Sequence, residues 1–479
     1  MKDRWCVSRR RSSISSCGGL FKKETELVKI SSADQFISLR ISSTTTTVNE
    51  RRGGRLDFFR SKRENRNLGT AMQVTFVEQF YYPEGWGGAQ LPRDITTHLV
   101  RSGFAVEVIC GGDQYAPEDE RSTDDPREAG VVVRRIPRVI SGDIQKLKLF
   151  RQFWFYLAAL PLLVFRRSPD VFVTQTNPPL VVPLVAFAAL MHRRPLVVIA
   201  QDLYPEVVFA HGMLRPNTLT GRLLSRLFRW AYSRAKRVVS LGPTMTERLI
   251  DKGVAAECIV PISNWSTGSQ DVVRGPENRL RAEWGLQDNF VLLYSGNIGV
   301  SHDIETPILA MREILRDTAE IRLVFIGKGS KLAEAERLAT SVGIEHAVQF
   351  RSFVSSSLLP HSLGLADLAL VTLREGFQGL VVPSKSLGYM ARGVPILYVG
   401  PPSDVQQTVV TAGAGVCVGN GDVQGFVSAV KRVIVDRATL HQMGSDGKRY
   451  YDEELAQAVG LESYQNLLRN VSRAPGVAS

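Results

Sequence analysis

Residues 291–299 read VLLYSGNIG, and residues 321–329 read IRLVFIGKG. Each stretch is a short apolar run that ends in a turn rich in glycine. Between them, residues 303–315 carry apolar side chains at helical spacing. Uniformly apolar strands that alternate with helices are typical of parallel sheets covered on both faces. These residues therefore predict an α/β domain built on a parallel sheet.

The same alternation continues on both sides of this stretch. Upstream, Leu91, Ile95 and Leu99 lie four residues apart and predict a helix over Ala89–Arg101. Further strands are predicted at Gln73–Glu78, Phe104–Cys110, Val131–Ile136, Val171–Thr174, Leu196–Ala200, Lys236–Leu241, Ala347–Phe350, Leu368–Val371 and Pro395–Val399.

A chain of 479 residues is long for one hydrophobic core, and the composition of Pro261–Thr267 is typical of a domain edge. The fold class that we predict is therefore α/β, with two Rossmann-like domains that face a cleft. We expect an extension over residues 1–71, a first domain over 72–270 and a second over 271–455. Residues 456–479 are expected to form a helix, with a crossing back to the first domain as one option.

The formal charge of +12 is concentrated before Met72. Residues 1–71 hold 16 Lys or Arg against 7 Asp or Glu, a net +9 that leaves +3 for the rest of the chain. This distribution argues against nucleic acid as a partner. The stretch is rich in Ser, Thr and Arg without periodicity, so we interpret it as disordered or as an over-extended gene start, with the working protein beginning at Met72. An organelle transit peptide is the alternative, which the acidic residues disfavour.

Several classes of site have no sequence signature. The five cysteines are dispersed without a CxxC pair, which is typical of a reducing compartment, and no Cys/His cluster has the spacing of zinc ligands. We therefore predict no metal. The GxGxxG fingerprint of nicotinamide dinucleotide sites and the GxxxxGK[ST] motif of P-loop ATPases are also missing.

Two apolar stretches are candidates for contact with a membrane. Phe153–Phe165 follows Arg151 and precedes two arginines, and it is shorter than the ~20 residues that span a bilayer. Its aromatic residues and basic flanks favour interfacial docking through residues 151–167, and a buried helix is the alternative. Pro178–Met191 lies between two predicted strands, which favours a place in the core.

Glycine-rich turns follow three of the predicted strands. They are Gly85-Trp86-Gly87-Gly88, Ser295-Gly296-Asn297-Ile298-Gly299 and Gly327-Lys328-Gly329. Glycine lets a ligand approach the backbone, and a helix that begins after such a turn favours an anion. Two such turns at successive strand ends predict a phosphate-bearing ligand at the carboxyl edge of the second sheet. A plain turn remains the alternative for the first cluster, and a solvated side chain for Lys328.

The segment Val382-Pro383-Ser384-Lys385 precedes a short predicted helix that Gly393 ends. Ser384 is predicted to cap this helix. Lys385 in the first turn is unfavourable for the helix dipole, and a bound diphosphate would offset that charge. The segment therefore predicts an anion beside Lys385.

Several segments, in this order, make the chain similar to family 4 glycosyltransferases, and most of all to the branch that acts in colanic acid and other exopolysaccharide assembly. They are QDLYPE at 201–206, NW at 264–265, SGNIG at 295–299, FIGKG at 325–329, and VPSK with YMARGVP within 382–395. The likeness runs from about Met72 to about Leu468. It implies a GT-B fold, with a UDP- or GDP-sugar donor on the second domain and the acceptor on the first. It further implies retention of anomeric configuration without a metal or other cofactor.

The resemblance also implies roles for individual residues. Lys385 and Lys328 would stabilise the leaving diphosphate, and Gly87 and Gly88 would approach the donor from the first domain. The other donor-binding residues that it implies are Ser295, Gly296, Asn297, Gly299, His302, Gly327, Gly329, Pro383 and Ser384.

The family's paired glutamates are only half present. Glu375 matches the first and is a candidate catalytic carboxylate, whereas the second, which holds the ribose, is replaced by Gly388. Asp202 and Glu206 flank Pro205 after a strand end, and we expect them to bind hydroxyls of the acceptor. A capping Asp and a solvated Glu are the alternative.

The function expected from this resemblance is retaining sugar transfer from a nucleotide-sugar to a lipid-linked saccharide in surface polysaccharide biosynthesis. The cellular location expected is the inner face of a bacterial-type cytoplasmic membrane, to which the protein binds peripherally. Two alternatives stay open: a nucleotide-sugar epimerase of the same fold, which needs no acceptor, and a non-catalytic partner protein, for which Gly388 is the argument.

Overall fold

The computed structural model describes residues 71–83, 87–112, 125–137, 148–267 and 270–473. The first domain alternates strands and helices along a parallel sheet. Its strands are β1 (Gln73–Glu78), β2 (Ala105–Gly111), β3 (Val132–Ile136), β4 (Val171–Gln175), β5 (Leu196–Ile199), β6 (Arg237–Ser240) and β7 (Ile259–Pro261). Its helices are α1 (Gly87–Arg101), α2 (Lys148–Phe165), α3 (Val181–His192), α4 (Glu206–Ala210), α5 (Leu219–Ser233) and α6 (Pro243–Asp251). Within the described residues, the strand order is β3-β2-β1-β4-β5-β6-β7.

The second domain has the same construction. Its strands are β8 (Phe290–Ser295), β9 (Ile321–Ile326), β10 (Val348–Arg351), β11 (Leu368–Thr372), β12 (Ile396–Val399) and β13 (Gly415–Val418). Its helices are α7 (Arg279–Glu283), α8 (Glu305–Ile314), α9 (Leu332–Ser341), α10 (Leu359–Leu363), α11 (Lys385–Met390), α12 (Asp404–Thr411), α13 (Val423–Val435) and α14 (Arg437–Tyr450). A π-helical turn, Tyr451–Leu455, leads into the last helix, α15 (Gln457–Arg473). The strands that the structure describes here pair in the order β10-β9-β8-β11-β12-β13, all parallel.

Helices cover both faces of each sheet, as the uniformly apolar strands require. In the first domain, α2, α3 and α5 pack on one face, while α1 and α15 pack on the other. The predicted fold class, two Rossmann-like α/β domains, is confirmed. The carboxyl ends of both sets of strands carry the glycine turns and polar segments that the sequence singled out.

The last helix belongs spatially to the first domain. Its Tyr464, Leu467 and Leu468 are buried in the same cluster as Phe76 of β1. Trp265, in the linker between the domains, donates from Nε1 to Asp94 Oδ2 of α1 at 3.1 Å. The Trp265 ring also packs edge to face against Tyr464 of α15. The chain therefore crosses back after α14, and Trp265 joins the linker to both α1 and α15.

Each strand expected from the sequence is present, with ends within one residue of the expected ones. Strands β7 and β13 were not predicted. Both lie at sheet edges. β7 is three residues long and ends in proline, and β13 begins with a glycine that gives no strand signal. Gly415 is required there, because a Cβ would lie 1.8 Å from the carbonyl oxygen of Ile396.

The two apolar stretches form α2 and α3. On α3 the inner face is buried, whereas Phe187, Leu190 and Met191 are exposed, so the expectation that this stretch is core holds for one face only. No helix in the described part of the chain is both long and apolar enough to cross a membrane. The expectations for residues 1–70, and for Gly85 and Trp86 of the first glycine cluster, fall outside the described residues.

Candidate active site between the domains

A cleft of about 600 Å³ opens between the two domains. Its first-domain wall runs from Asp202 to Met213, immediately after β5. Its second-domain wall consists of the glycine turn after β8 and the segment 381–385. The cleft therefore brings together three of the segments that the sequence marked: QDLYPE, SGNIG and VPSK.

Lys385, the first residue of α11, reaches across to the end of β8. Its Nζ donates to Tyr294 Oη at 2.8 Å and to the carbonyl oxygen of Asn297 at 3.2 Å. The ammonium also lies 4.5 Å from the centre of the Tyr294 ring. Four residues further along the same helix face, Tyr389 Oη accepts a hydrogen bond from the backbone N–H of Ser295 at 3.0 Å. Helix α11 is thus fastened to β8 at two points.

His302 supplies the third acceptor for this ammonium. Its Nδ1 lies 2.9 Å from the carbonyl oxygen of Thr372 and must donate there, which leaves Nε2 to accept from Lys385 Nζ at 3.3 Å. Burial, followed by the charge of Lys385, lowers the pKa of His302 to about 4. The imidazole is therefore neutral at physiological pH and adds no charge to the cleft.

The electrostatic state of Lys385 follows from these contacts. All three acceptors are neutral, and among the described residues no carboxylate pairs with this lysine. Burial lowers the pKa of Lys385 to about 7. Buried charges in proteins are normally paired. A cation without a counter-ion at the edge of an open cleft is suited to bind an anion.

The glycine turns make this arrangement possible. Gly296 has φ +135°, and a Cβ there would lie 2.3 Å from Lys385 Cε. Gly327 has φ +151°, and its Cβ would lie 2.0 Å from the carbonyl oxygen of Gly296. In Gly329, a Cβ would meet the carbonyl oxygen of Ile298 at 2.1 Å. The two turns are therefore stacked on each other and on the lysine, and each glycine is needed for close approach.

Asp202 lies in the opposite wall of the cleft. Its backbone N–H donates to Thr176 Oγ1 at 3.0 Å, and it forms a β-bridge with Val381 of the second domain. Burial raises the pKa of Asp202 to about 6, and the nearby His211 opposes this shift. A carboxyl group that titrates near neutrality is suited to accept a hydrogen bond, or a proton, from a hydroxyl in the cleft.

Glu206 faces away from this cleft. Its carboxylate pairs with Lys252 Nζ, which also donates to the carbonyl oxygen of Tyr204 at 2.8 Å. Burial lowers the pKa of Lys252, while Glu206 raises it. The contacts with Lys252 thus fix the end of the QDLYPE segment on the side away from the cleft. Glu206 lines another cavity, of about 260 Å³. Its predicted contact with an acceptor has no support in this geometry.

The remaining predicted residues are distributed around the cleft. Asn297, His302, Pro383 and Ser384 line it together with Gly296 and Lys385. Lys328 and Glu375 are exposed in turns and are not among its lining residues. The prediction that Ser384 caps α11 is wrong, because its side chain makes no capping hydrogen bond.

Gly87 and Gly88 form the first turn of α1 rather than a loop before it. Gly88 lines a neighbouring cavity, and Gly299 packs against the side chain of Asn297. Tyr294 and His211 were missed by the sequence interpretation. Tyr294 stands inside an apolar strand, where nothing distinguishes it from a core aromatic residue.

The described residues contain no group of three or more His, Cys, Asp or Glu side chains arranged to hold a metal ion. What the cleft offers is an uncompensated lysine on one wall and a carboxyl group of raised pKa on the other. Such a pair can bind an anionic group and a hydroxyl group side by side.

Two family models match consecutive parts of the chain. Residues 87–265 match the glycosyl transferase 4-like domain, and residues 276–450 match the glycosyl transferases group 1. Each match covers most of one of the two domains seen in the structure. Together they span the cleft and leave out only the linker and the two ends.

Curated relatives cover most of the chain. The probable glycosyltransferase WbjE of Pseudomonas aeruginosa is 28% identical over 347 residues, which are 70% of this chain and 83% of that protein. The putative colanic acid biosynthesis glycosyl transferase WcaI of Escherichia coli is 25% identical over 404 residues, which are 81% of this chain and 98% of that protein.

A solved structure shares the fold. Anabaena Alr3699/HepE in complex with UDP-glucose superposes with a TM-score of 0.61 at 17% identity and covers 83% of this chain and 100% of that chain. At this identity the likeness concerns the fold alone, which is the same pair of domains around a cleft.

Proposed function

Because the chain belongs to the group 1 glycosyl transferases and carries a glycosyl transferase 4-like domain in its first half, we propose that it transfers a sugar from a nucleotide-sugar to a saccharide acceptor. The observation that carries this proposal is the uncompensated ammonium of the half-buried Lys385 beside two stacked glycine turns. A nucleoside diphosphate would supply the missing negative charge. UDP- and GDP-sugars are the donors that we consider. The complex of HepE with UDP-glucose supports a donor of this class.

In the proposed reaction, Lys385 stabilises the charge that develops on the leaving diphosphate. His302 and Tyr294 position the ammonium for this role. The bond that breaks joins the anomeric carbon to the diphosphate oxygen, and the bond that forms joins that carbon to an acceptor oxygen. The departing diphosphate keeps the electron pair of the broken bond and takes up the proton of the acceptor hydroxyl, while Asp202 accepts a hydrogen bond from that hydroxyl and orients it. The proposal includes retention of configuration and no cofactor.

The proposed acceptor is a lipid-linked saccharide of a surface polysaccharide. The name of WcaI assigns that protein to colanic acid biosynthesis, which supports polysaccharide assembly as the process. Relatives that cover most of this chain are named as glycosyltransferases, which favours sugar transfer over an epimerase or a non-catalytic partner.

A lipid-linked acceptor requires access to a membrane surface, and the outer side of α2, α3 and α5 has the right chemistry. The three helices adjoin in that order and contain no Asp or Glu. They expose apolar side chains and, on α5, arginines: Phe153, Leu157, Phe165, Phe187, Met191, Leu219, Leu223, Arg222 and Arg226. Aromatic and aliphatic groups among basic ones favour an anionic lipid surface. We propose docking through residues 151–167, extended by α3 and α5, at the inner face of a cytoplasmic membrane.

The docking proposal predicts binding to phosphatidylcholine vesicles that contain phosphatidylglycerol, and weak binding to phosphatidylcholine alone. Replacing both Phe153 and Leu157 by Asp is expected to reduce binding to the anionic vesicles roughly tenfold or more, since it removes apolar contact and adds repulsion. Cosedimentation measures this with the full chain, so residues 1–71 are common to all variants. The control is Val435→Asp, an 85% exposed apolar residue on α13. Equal loss in both variants would contradict docking through α2.

The donor proposal is tested by thermal unfolding of the full chain with UDP, GDP, ADP and their common sugar conjugates. A ligand that binds only the folded state raises the free energy of unfolding, by about 2.7 kcal/mol at a hundredfold excess over Kd, and the melting temperature rises with it. We expect one nucleotide family to stabilise the protein and to identify the base. Well-folded protein that responds to none of these compounds would sink the proposal.

A further inference from the structure

A second cavity, of about 340 Å³, adjoins the cleft, and Ser384 lines both. Three amide side chains at the carboxyl edge of the first sheet line this cavity. Gln175 is the last residue of β4, Gln201 follows β5, and Asn264 follows β7. The lining also includes three leucines: Leu91, Leu359 and Leu363. We call it the amide cavity.

Gln175 has an unused hydrogen-bond donor. The residue is 3% exposed, and its backbone N–H donates to Glu78 Oε1 at 3.0 Å. Its side-chain Nε2 is buried and has no hydrogen-bond partner among the described residues. Buried polar groups in folded proteins are nearly always paired, because leaving one unpaired is unfavourable. Since Gln175 lines the amide cavity, an oxygen atom of a ligand is the natural partner for this N–H group.

The side chains of Gln201 and Asn264 fix each other's orientation through a reciprocal pair of hydrogen bonds. Asn264 Nδ2 donates to Gln201 Oε1 at 2.8 Å, and Gln201 Nε2 donates to Asn264 Oδ1 at 3.2 Å. Each amide has two N–H groups and two oxygen lone pairs, so this pair uses half of the capacity of each. The remaining groups can both donate and accept. Hydroxyl groups have the same double capacity.

Gly388 also lines the amide cavity. It occupies the position at which the family resemblance leads to the expectation of a ribose-binding glutamate. A Cβ at this position would meet only Arg392 Nη1, at 3.8 Å. The absence of a side chain therefore leaves space on the second-domain side of the cavity, opposite the amides of the first domain.

We propose that the amide cavity binds a hydroxyl-bearing sugar ring, with Gln175 donating to a ring hydroxyl and the Gln201–Asn264 pair exchanging hydrogen bonds with its neighbours. This inference rests on the proposed function, which supplies two such rings: the ribose of the donor nucleotide and a pyranose of the acceptor. The mixture of amides and leucines suits both, because a sugar ring has polar hydroxyl edges and apolar C–H faces.

The test compares Gln175→Met with Gln79→Met. Gln79 is also buried and has an unpartnered amide oxygen, but it does not line the amide cavity. Saturation-transfer difference NMR on the full chain uses UDP, GDP and the methyl glycosides of glucose, galactose, mannose, fucose, rhamnose and N-acetylglucosamine. We expect the wild type to saturate ring protons of at least one probe. The Gln175→Met change should raise the Kd for that probe about five- to tenfold, as loss of one hydrogen bond does.

The probe whose affinity falls in Gln175→Met identifies which sugar ring the cavity binds. A loss confined to UDP or GDP assigns the cavity to the ribose, and a loss confined to a glycoside assigns it to the acceptor. Melting temperatures of Gln175→Met at or above that of the wild type would exclude misfolding, because the change removes an unpaired amide. Equal affinities in all three proteins, or no ring-proton saturation by the wild type, would overturn the inference. If UDP or GDP still stabilises the wild type in a Lys385-dependent manner, the proposed function survives that failure.

Discussion

Replacing Lys385 by Ala is expected to lower kcat/KM for sugar transfer roughly 100- to 1000-fold, the usual cost of losing one preorganised group that stabilises a developing anion. The ammonium faces only neutral acceptors, so its charge is free to act on the leaving diphosphate. The measurement is release of the nucleoside diphosphate with saturating acceptor. Thermal shift by the nucleotide identified above should be lost in the same variant.

The control for this change is Lys431→Ala. Lys431 lies on α13 and pairs with Asp317 at the surface of the second domain, so its removal should leave kcat/KM within about twofold, as an exposed ion pair contributes little. Wild-type turnover by the Lys385→Ala protein would exclude Lys385 from catalysis. Normal nucleotide binding with reduced turnover would instead limit its action to the transition state.

The pH dependence of nucleotide binding follows from the same lysine. With a pKa of about 7, the free-protein ammonium of Lys385 loses its proton as pH rises above neutrality. Asp202, with a pKa of about 6, is already ionised there, and His302, with a pKa of about 4, is already neutral. Affinity for UDP or GDP is therefore expected to fall roughly tenfold or more between pH 7 and pH 9, because only the protonated fraction binds. In Lys385→Ala, calorimetric titration should give a nearly flat profile over this range.

The strands and the glycine turns were predictable because their signals are local. An apolar run of about five residues followed by glycine identifies β8 and β9 without knowledge of any partner. The contacts within the site are a different matter. Lys385 meets Tyr294 across 91 residues of chain, and Tyr294 in an apolar strand has the same appearance as its buried neighbours. From the sequence, an anion beside Lys385 is predicted because a cation in the first turn of a helix is unfavourable. The structure gives a stronger reason for an anion there, since the ammonium has no charged partner among the described residues.

Glu206 illustrates the opposite outcome. In the sequence it forms one unit with Asp202, four residues earlier, and both were expected to meet the acceptor. In the structure the two residues line different cavities. Glu206 then pairs with Lys252, which is 46 residues away in the chain. No periodicity or motif in one sequence encodes such a pairing, so side-chain direction within a motif has to come from the structure.

Replacing Gly296 by Ala is expected to be as damaging to transfer as the loss of Lys385 itself, although the change adds a single methyl group. The new Cβ would lie 2.3 Å from Lys385 Cε, so the lysine must leave its contacts with Tyr294 and His302. The backbone at φ +135° is also unfavourable for alanine, at a cost of about 1–3 kcal/mol of stability. Nucleoside diphosphate release and chemical unfolding measure the two effects separately.

Gly343→Ala separates the strain from the collision. Gly343 has φ +77°, but a Cβ there would meet nothing within 4 Å, and the residue lies outside the cleft. It should lower stability by a similar amount and leave turnover unchanged. A double variant, Gly296→Ala with Lys385→Ala, provides the decisive comparison. If Gly296 acts by making room for the lysine, the double variant should transfer sugar no more slowly than Lys385→Ala alone, because interacting sites are not additive. Additive losses would instead mean that Gly296 contributes to the donor site through its own backbone.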